Sequence, residues 1–372
     1  MQPSSYFYLL PFGRTFAENS GDMQYTENEN IRDLRSMELS STLPDVSIAT
    51  SEKALVTVTI DGVEVFREWL YPYSGSVVLR DLHSLVEPYA YQSQTVTLAV
   101  TAVTEGGSSL ASQNATVVYC ECDFGDETAE HYLANHFLSI LQGPKLTAMG
   151  RLEILPVQGS EAATCQATYD DGTTQTFSVN TYLPATNSRR FTEYDASPAQ
   201  FAVSGKTLMS YVVSVGQRHQ EYIIDLQSPD CSPILVFFNS FGVEEVVYCT
   251  GIHRKESDYK RSMAYVGYRQ RNYRIDETRQ FKADTGPLTI PMANWLDDLF
   301  RSKYVRVANL YDGAVTPGRE VTITDSKSDY SNDDAEIPRF TFTYQYAQRN
   351  HNVVDLLRAG RIFDNTFDNT FN

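Results

Sequence analysis

Between residues 45 and 122, apolar and polar side chains alternate with a period of two. The clearest run is Ala54-Leu55-Val56-Thr57-Val58-Thr59-Ile60, which Asp61-Gly62 turns into Val63-Glu64-Val65-Phe66. Such alternation marks a strand with one face in a core. Glycine supplies the positive φ that a tight hairpin turn demands. Further strands are expected at 76–79, 94–104 and 115–122, with a short helix at 81–86 crossing between them. Five or six short strands in this stretch predict an antiparallel β-sandwich of immunoglobulin or fibronectin-III type, which the sequence does not separate. Helical spacing appears only in brief. Leu133, Phe137, Ile140 and Leu141 share one face of a helix over 128–141, capped by Asp126 and stopped by Gly143-Pro144. A second helix over 291–300 opens on Pro291 and carries a stripe of Met292, Trp295, Leu296 and Leu299. A third is expected at 353–359, ended by Gly360.

From 145 to 350 the strand pattern resumes. Cys165 to Tyr169 and Thr174 to Val179 flank the turn residues Asp170-Asp171-Gly172-Thr173. Further strands fall at 209–215, 221–226, 234–238, 244–250, 261–269, 272–281, 304–308, 319–324 and 338–347. The chain therefore reads as mainly β: an N-terminal arm (1–44), an immunoglobulin/fibronectin-III-like β-sandwich (45–122), a linking helix (123–144), a larger β region (145–350) and a C-terminal tail (351–372). The larger region is one antiparallel β domain, or two split near 230, with a few short helices. The arm turns polar after its first residues and holds too little apolar surface to pack alone. The tail repeats Phe-Asp-Asn-Thr, spacing Phe363, Phe367 and Phe371 four apart. These read as three anchors for pockets on a neighbour, against the plainer reading of a frayed end.

Composition sharpens this picture at one place. With 24 Tyr, 19 Phe and 2 Trp, the aromatics suit pleated surfaces. The formal net charge is −17, which disfavours a nucleic-acid coat as the main role. Yet 253–282 is basic. Tyr259, Tyr265, Tyr268, Tyr273 and Phe281 are interleaved there with Arg254, Lys255, Lys260, Arg261, Arg269, Arg271, Arg274 and Arg279. Tyr and Arg are the residues enriched at interface hot spots. Tyr265, Arg269, Arg271, Tyr273 and Arg274 are therefore expected at a subunit contact, against a solvent-facing sheet surface or a nucleic-acid patch. Counting by parity puts Tyr265, Arg269 and Arg271 on one face and Tyr268 and Gln270 on the other, so both faces mix Tyr with Arg.

Candidate chemistry is sparse. The five cysteines follow no disulfide framework, and reduced thiols are expected. Cys120-x-Cys122 with His131 and His136 invites a zinc reading. Two histidines five apart on a helix diverge by about 140°, so buried structural cysteines are the better reading. The loop 329–336 has oxygen ligands for calcium but lacks the glycine and spacing of an EF-hand; a solvated loop is expected. No nucleophile elbow or phosphate-binding glycine loop is present, and none of the six histidines falls in a catalytic pattern. No catalytic residue, metal or cofactor is expected. No apolar run is long enough to span a membrane, and the N-terminus lacks a signal-peptide pattern.

Three segments carry a resemblance. Phe237-Phe238-Asn239-Ser240-Phe241-Gly242 with Tyr248-Cys249-Thr250-Gly251 is the first. Asp284-Thr285-Gly286-Pro287-Leu288 leading into Trp295-Leu296-Asp297-Asp298-Leu299-Phe300-Arg301-Ser302 is the second. Thr322-Ile323-Thr324-Asp325-Ser326-Lys327-Ser328 with Pro338-Arg339-Phe340-Thr341-Phe342-Thr343-Tyr344 is the third. Over 235–350 the chain resembles structural proteins encoded in tail modules of phages and prophages of gut anaerobic bacteria. The resemblance implies a virion protein of the tail tip or baseplate, synthesised in the bacterial host cytoplasm and assembling into rings about the tail axis. Its partners would be copies of itself and other tail proteins, with host-surface glycan as a further contact. No site residues transfer. Two other classes stay open. One is a carbohydrate-binding or adhesive β-sandwich protein. The other is a glycan hydrolase, which needs two carboxylates about 5 to 10 Å apart in a cleft.

Overall fold

The computed structural model describes residues 14–17, 24–27, 31–125, 127–184, 190–311, 314–328 and 337–348. It is mainly β, built from several largely antiparallel sheets with three α-helices among the described residues. β1 (Arg14–Ala17) and β2 (Gln24–Glu27) form a separate antiparallel pair. The chain divides into two compact units, the first ending at Val118 and the second beginning at Tyr119, with Ser93–Thr95 counted with the second.

The first unit holds β3 (Met37–Leu39), β4 (Val46–Ala49), β5 (Ala54–Ile60), β6 (Val63–Leu70), β7 (Ser76–Leu79), α1 (Leu82–Ser93), β8 (Thr95–Thr104) and β9 (Ser109–Val118). One sheet runs β3-β9-β8-β5-β6 and the other pairs β4 with β7. Alternate residues of both sheets are buried: Val56, Val58 and Ile60 on β5, Leu98, Val100 and Ala102 on β8, Val46 and Ile48 on β4, Val77 and Leu79 on β7. That is the burial of two layers facing one core. Labelled in chain order as A′, B, C, C′, E, F and G, the strands give the sheet order A′GFCC′ opposite BE. This is the order of an immunoglobulin-type sandwich. α1, longer than the six residues expected, makes the E-to-F crossover.

The folded region begins earlier than the arm expected over 1–44. β3 lies parallel to β9, with Met37 opposite Thr116. Glu38 is buried, and Arg32 grips it with both guanidinium amines, one at 2.8 Å. The Arg35 N–H adds a third bond to the same carboxylate at 2.8 Å. Composition alone misses this, because a polar stretch can be ordered by one saturated ion pair as well as by apolar burial.

In the second unit α2 (Ala129–Asn135) is half the length expected for 128–141. Thr128 caps it, its side chain accepting from the His131 N–H at 3.2 Å. After Asn135 the backbone leaves the helix to bond elsewhere: Leu138 N–H donates to Pro156 O at 3.0 Å. Buried Arg218 donates to Leu133 O at 2.8 Å near the helix C-terminus, where a cation is favourable. Tyr132, Leu133 and Phe137 are buried, so the helix is part of this unit's core rather than a linker.

β10 (Lys145–Thr147), β11 (Ile154–Gln158), β12 (Ala163–Tyr169), β13 (Thr174–Ser178), β14 (Thr181–Leu183), β15 (Phe191–Asp195), β16 (Leu208–Val215) and β17 (Arg218–Ile224) follow. They form a five-stranded sheet, β10-β17-β16-β12-β13, and a three-stranded one, β11-β15-β14. Their shared core includes Leu155, Val157, Cys165, Val213 and the stacked pair Tyr211 and Tyr222, 4.7 Å between centroids.

A seven-stranded sheet completes the unit. Its strands are β18 (Ile234–Phe238), β19 (Glu244–Tyr248), β20 (Arg254–Val266), β21 (Arg269–Asp284), β22 (Val305–Tyr311), β23 (Ala314–Lys327) and β24 (Thr341–Tyr346), in the order β19-β18-β22-β23-β24-β21-β20. α3 (Ile290–Arg301) lies on one face. Its stripe Met292, Trp295, Leu296 and Leu299 is buried against Phe237, Phe281, Val305, Phe342 and Tyr344. Among its described residues the region 145–350 thus carries three hydrophobic clusters within one compact unit, one before residue 230 and two after it. The helix expected at 353–359 lies outside the described residues.

Candidate functional site

β20 and β21 are the longest strand pair among the described residues, and most of their length touches no other strand. β21 pairs with β24 only at Phe281–Asp284, and β20 is the sheet's edge. Residues 257–279 therefore project as a two-stranded ribbon, on the order of 30 Å long at about 3.3 Å per residue. An isolated hairpin of this kind is marginal in water.

Its root is locked by His253. The imidazole bonds Ser232 Oγ through Nδ1 and Tyr344 OH through Nε2, both at 2.8 Å. It also stacks on Phe281 and Tyr344. Burial lowers its pKa, keeping the ring neutral near pH 7. The arrangement anchors the first residues of β20.

The tip turns over Gly267 and Tyr268, both at positive φ (57° and 64°), which makes a two-residue turn of the type that suits strand twist. Glycine adopts this conformation freely, whereas for tyrosine it is strained. Tyr268 is fully exposed at the tip. A strained, solvated aromatic at a loop apex is a reason to look for a binding role there.

Register sorts the side chains. Val266 pairs with Arg269, Tyr265 with Gln270, Ala264 with Arg271 and Met263 with Asn272. Tyr273 is then left over as a bulge. Beyond it Ser262 pairs with Arg274, Arg261 with Ile275, Lys260 with Asp276 and Tyr259 with Glu277. Paired residues share a face, and faces alternate along each strand. One face therefore carries Tyr265, Met263, Ile275 and Tyr259, together with Arg261 and Glu277. The other carries Arg269, Arg271, Arg274 and Lys260, together with Val266 and Asp276.

This corrects the mixed faces expected from parity. A two-residue turn inverts parity between the strands, and the bulge restores it after four pairs. Of the five residues expected at an interface, Arg269, Arg271 and Arg274 fall together, Tyr265 lies on the opposite face, and Tyr273 is the bulge residue. The strand break expected at 270–271 lies instead at 267–268, for which Gly267 inside a strand pattern is the sequence signal.

Both faces are exposed. Tyr265 is 79% accessible, Tyr273 72%, Met263 58% and Ile275 54%. Arg261 lies over the Tyr259 ring at 5.4 Å. On the opposite face only Arg274 has an ion-pair partner among the described residues, Asp276 at 2.9 Å. Between 260 and 274 the sequence has five cations and no acid.

His131 bonds Glu127 and His136 stacks on Tyr132, so neither turns toward the Cys120-x-Cys122 pair as a zinc ligand. No group of three metal-ligating side chains occurs among the described residues. The loop 329–336 and Phe363, Phe367 and Phe371 lie outside them. Three carboxylates do line a small cavity: Glu153, bonded by Lys145 and Thr147 at 2.7 Å each, Glu245, bonded by the Trp295 N–H, and Glu244, paired with Arg306. That cavity measures about 20 Å3 and its neighbour about 90 Å3. These have room for one to a few waters, far below the size of pockets that enclose small ligands. No helix among the described residues is long and apolar enough to cross a membrane. No protein-family model matches the chain, and no curated protein matches it either.

Proposed function

We propose that the protein is a structural component of a phage tail, of the tip or baseplate region, that works by ring-like homo-oligomeric assembly. The ribbon of β20 and β21 carries the reading. It places an aromatic face and a cationic face in solvent, where neither gains from burial until a neighbour covers it. The rest of the chain is strongly acidic, so a second copy offers a complementary surface for the cations. The phage assignment rests on the resemblance over 235–350, and virion localisation follows from it. No catalytic residue is part of this reading.

Mass photometry and negative-stain imaging of the purified full chain test it. The expected result is a discrete oligomer with closed rings, reduced to monomer by the Met263→Glu and Tyr265→Glu pair. A monomeric wild-type chain at micromolar concentration, or an oligomer indifferent to both substitutions, would refute the ribbon's role. The same exposed Tyr259, Tyr265 and Tyr268 favour a second reading, a glycan-binding adhesin. Binding of the isolated monomer to a glycan array, lost on Tyr265→Ala, would favour it over assembly.

A further inference from the structure

Cys120 and Cys122 lie in the irregular stretch between β9 and α2, where the chain bends at Glu121. The bend folds the two residues back on each other. The Cys122 N–H donates to Cys120 Sγ at 3.3 Å, and the Cys120 thiol donates to Cys122 O at 3.5 Å. The Glu121 N–H, bonded to Ser240 O at 2.8 Å, holds the bend in place. Cys120 is fully buried and Cys122 half-buried, so one thiol meets solvent and the other waits behind it. Because the segment belongs to no sheet or helix, it can adjust to a new covalent bond without breaking a ladder.

We propose that Cys120 and Cys122 form a reversible dithiol–disulfide pair, in which Cys122 attacks a hydroperoxide and Cys120 resolves the product. In the first step the Cys122 thiolate takes the terminal oxygen of the peroxide. The O–O bond breaks, and the alkoxide leaves with a proton as an alcohol, or as water from hydrogen peroxide. Cys122 becomes a sulfenic acid. In the second step the Cys120 sulfur attacks the Cys122 sulfur, and the S–O bond breaks. The hydroxyl leaves as water with the Cys120 proton. Two thiols have then lost two electrons, and the peroxide has gained them.

The five thiols differ in their readiness for this chemistry. Burial pushes Cys165 up to about 12 and raises Cys249 and Cys231, the last despite Arg151 at 3.3 Å. Cys122 moves the other way from these three, to about 7, chiefly through its side-chain hydrogen bond with Cys120 and against the effect of its own partial burial. Arg301 assists and Asp298 opposes. The Ser240 hydroxyl contributes less than Cys120, and it also donates to Asp298 at 2.5 Å. A thiolate that is half-exposed and backed by a second thiol is the arrangement that oxidises selectively.

The test uses the full-length chain at pH 7. Iodoacetamide labelling with peptide mass spectrometry should modify Cys122 about tenfold faster than Cys231 or more, from its larger thiolate fraction. One equivalent of hydrogen peroxide should yield a peptide lighter by two hydrogens, linking Cys120 to Cys122, and dithiothreitol should restore it. In Cys120→Ser the intermediate should persist and be trapped by dimedone at Cys122. Equal labelling of Cys122 and Cys231 overturns the proposal. So does oxidation that leaves Cys120 a thiol in the unsubstituted chain, whether or not Cys120→Ser folds.

Discussion

Glu245 shows how much a single side chain can set the conditions under which the second unit is stable. It sits on β19, with its carboxylate bonded to the Trp295 N–H and near Lys145. Burial is the largest influence and raises its pKa from 4.5 to about 7, against smaller opposing effects of Lys145, Ser139 and Trp295. Between those two pH values the folded chain holds a proton that the unfolded chain has released. Stability attributable to this group is therefore full below about 4.5 and is lost as pH rises toward 7. Glu245→Gln keeps an acceptor for the indole and cannot ionise. Urea midpoints measured across that window should fall less steeply with pH in the variant than in the wild type. Parallel slopes would show that Glu245 is ionised throughout.

The elements differ in how far the sequence revealed them. β5 and β6 were legible because strict alternation and Asp61-Gly62 leave one solution. α3 was legible because Pro291 and a four-residue stripe define both its start and its buried face. α2 was overextended: Phe137 and Ile140 continue the helical spacing, but Pro156 O offers Leu138 a tertiary hydrogen bond that local spacing does not reveal. The ribbon was seen as basic and aromatic, while its two-sidedness was not. Sorting it required the turn position and the bulge, and both are matters of pairing between strands rather than of residues within one.

That two-sidedness also makes the ribbon separable. Only its root, from Phe281 to Asp284, shares hydrogen bonds with β24, and His253 fastens it there. Replacing 257–279 by a two-residue turn removes no residue of the cluster under α3. The shortened protein should melt within a few degrees of the wild type and fail to assemble. A large drop in melting temperature would mean that the ribbon contributes to the fold.

For the molecule as a whole, charge is unevenly spread. A chain of net charge −17 keeps five cations and no acid in its fifteen residues from 260 to 274. If copies associate through that segment and an acidic neighbour, ionic strength should matter. Screening shortens the reach of exposed charges from about 30 Å at 0.01 M salt to about 3 Å at 1 M. Sedimentation across this range should show association weakening several-fold. Association unchanged or strengthened by salt would assign the contact to Tyr265, Met263 and Ile275 instead.

Tyr273 offers an unusual handle. Deleting one residue from a strand ordinarily flips everything beyond it to the wrong side. Here the excised residue has no partner, so Met263 would stay opposite Asn272 and Ser262 opposite Arg274. What disappears is the local kink and extra twist that an unmatched residue imposes. A chain lacking Tyr273 would present the same two chemistries along a straighter rod. Its oligomer, compared by imaging with the parent's, would report whether curvature at this one point sets how many copies close a circle.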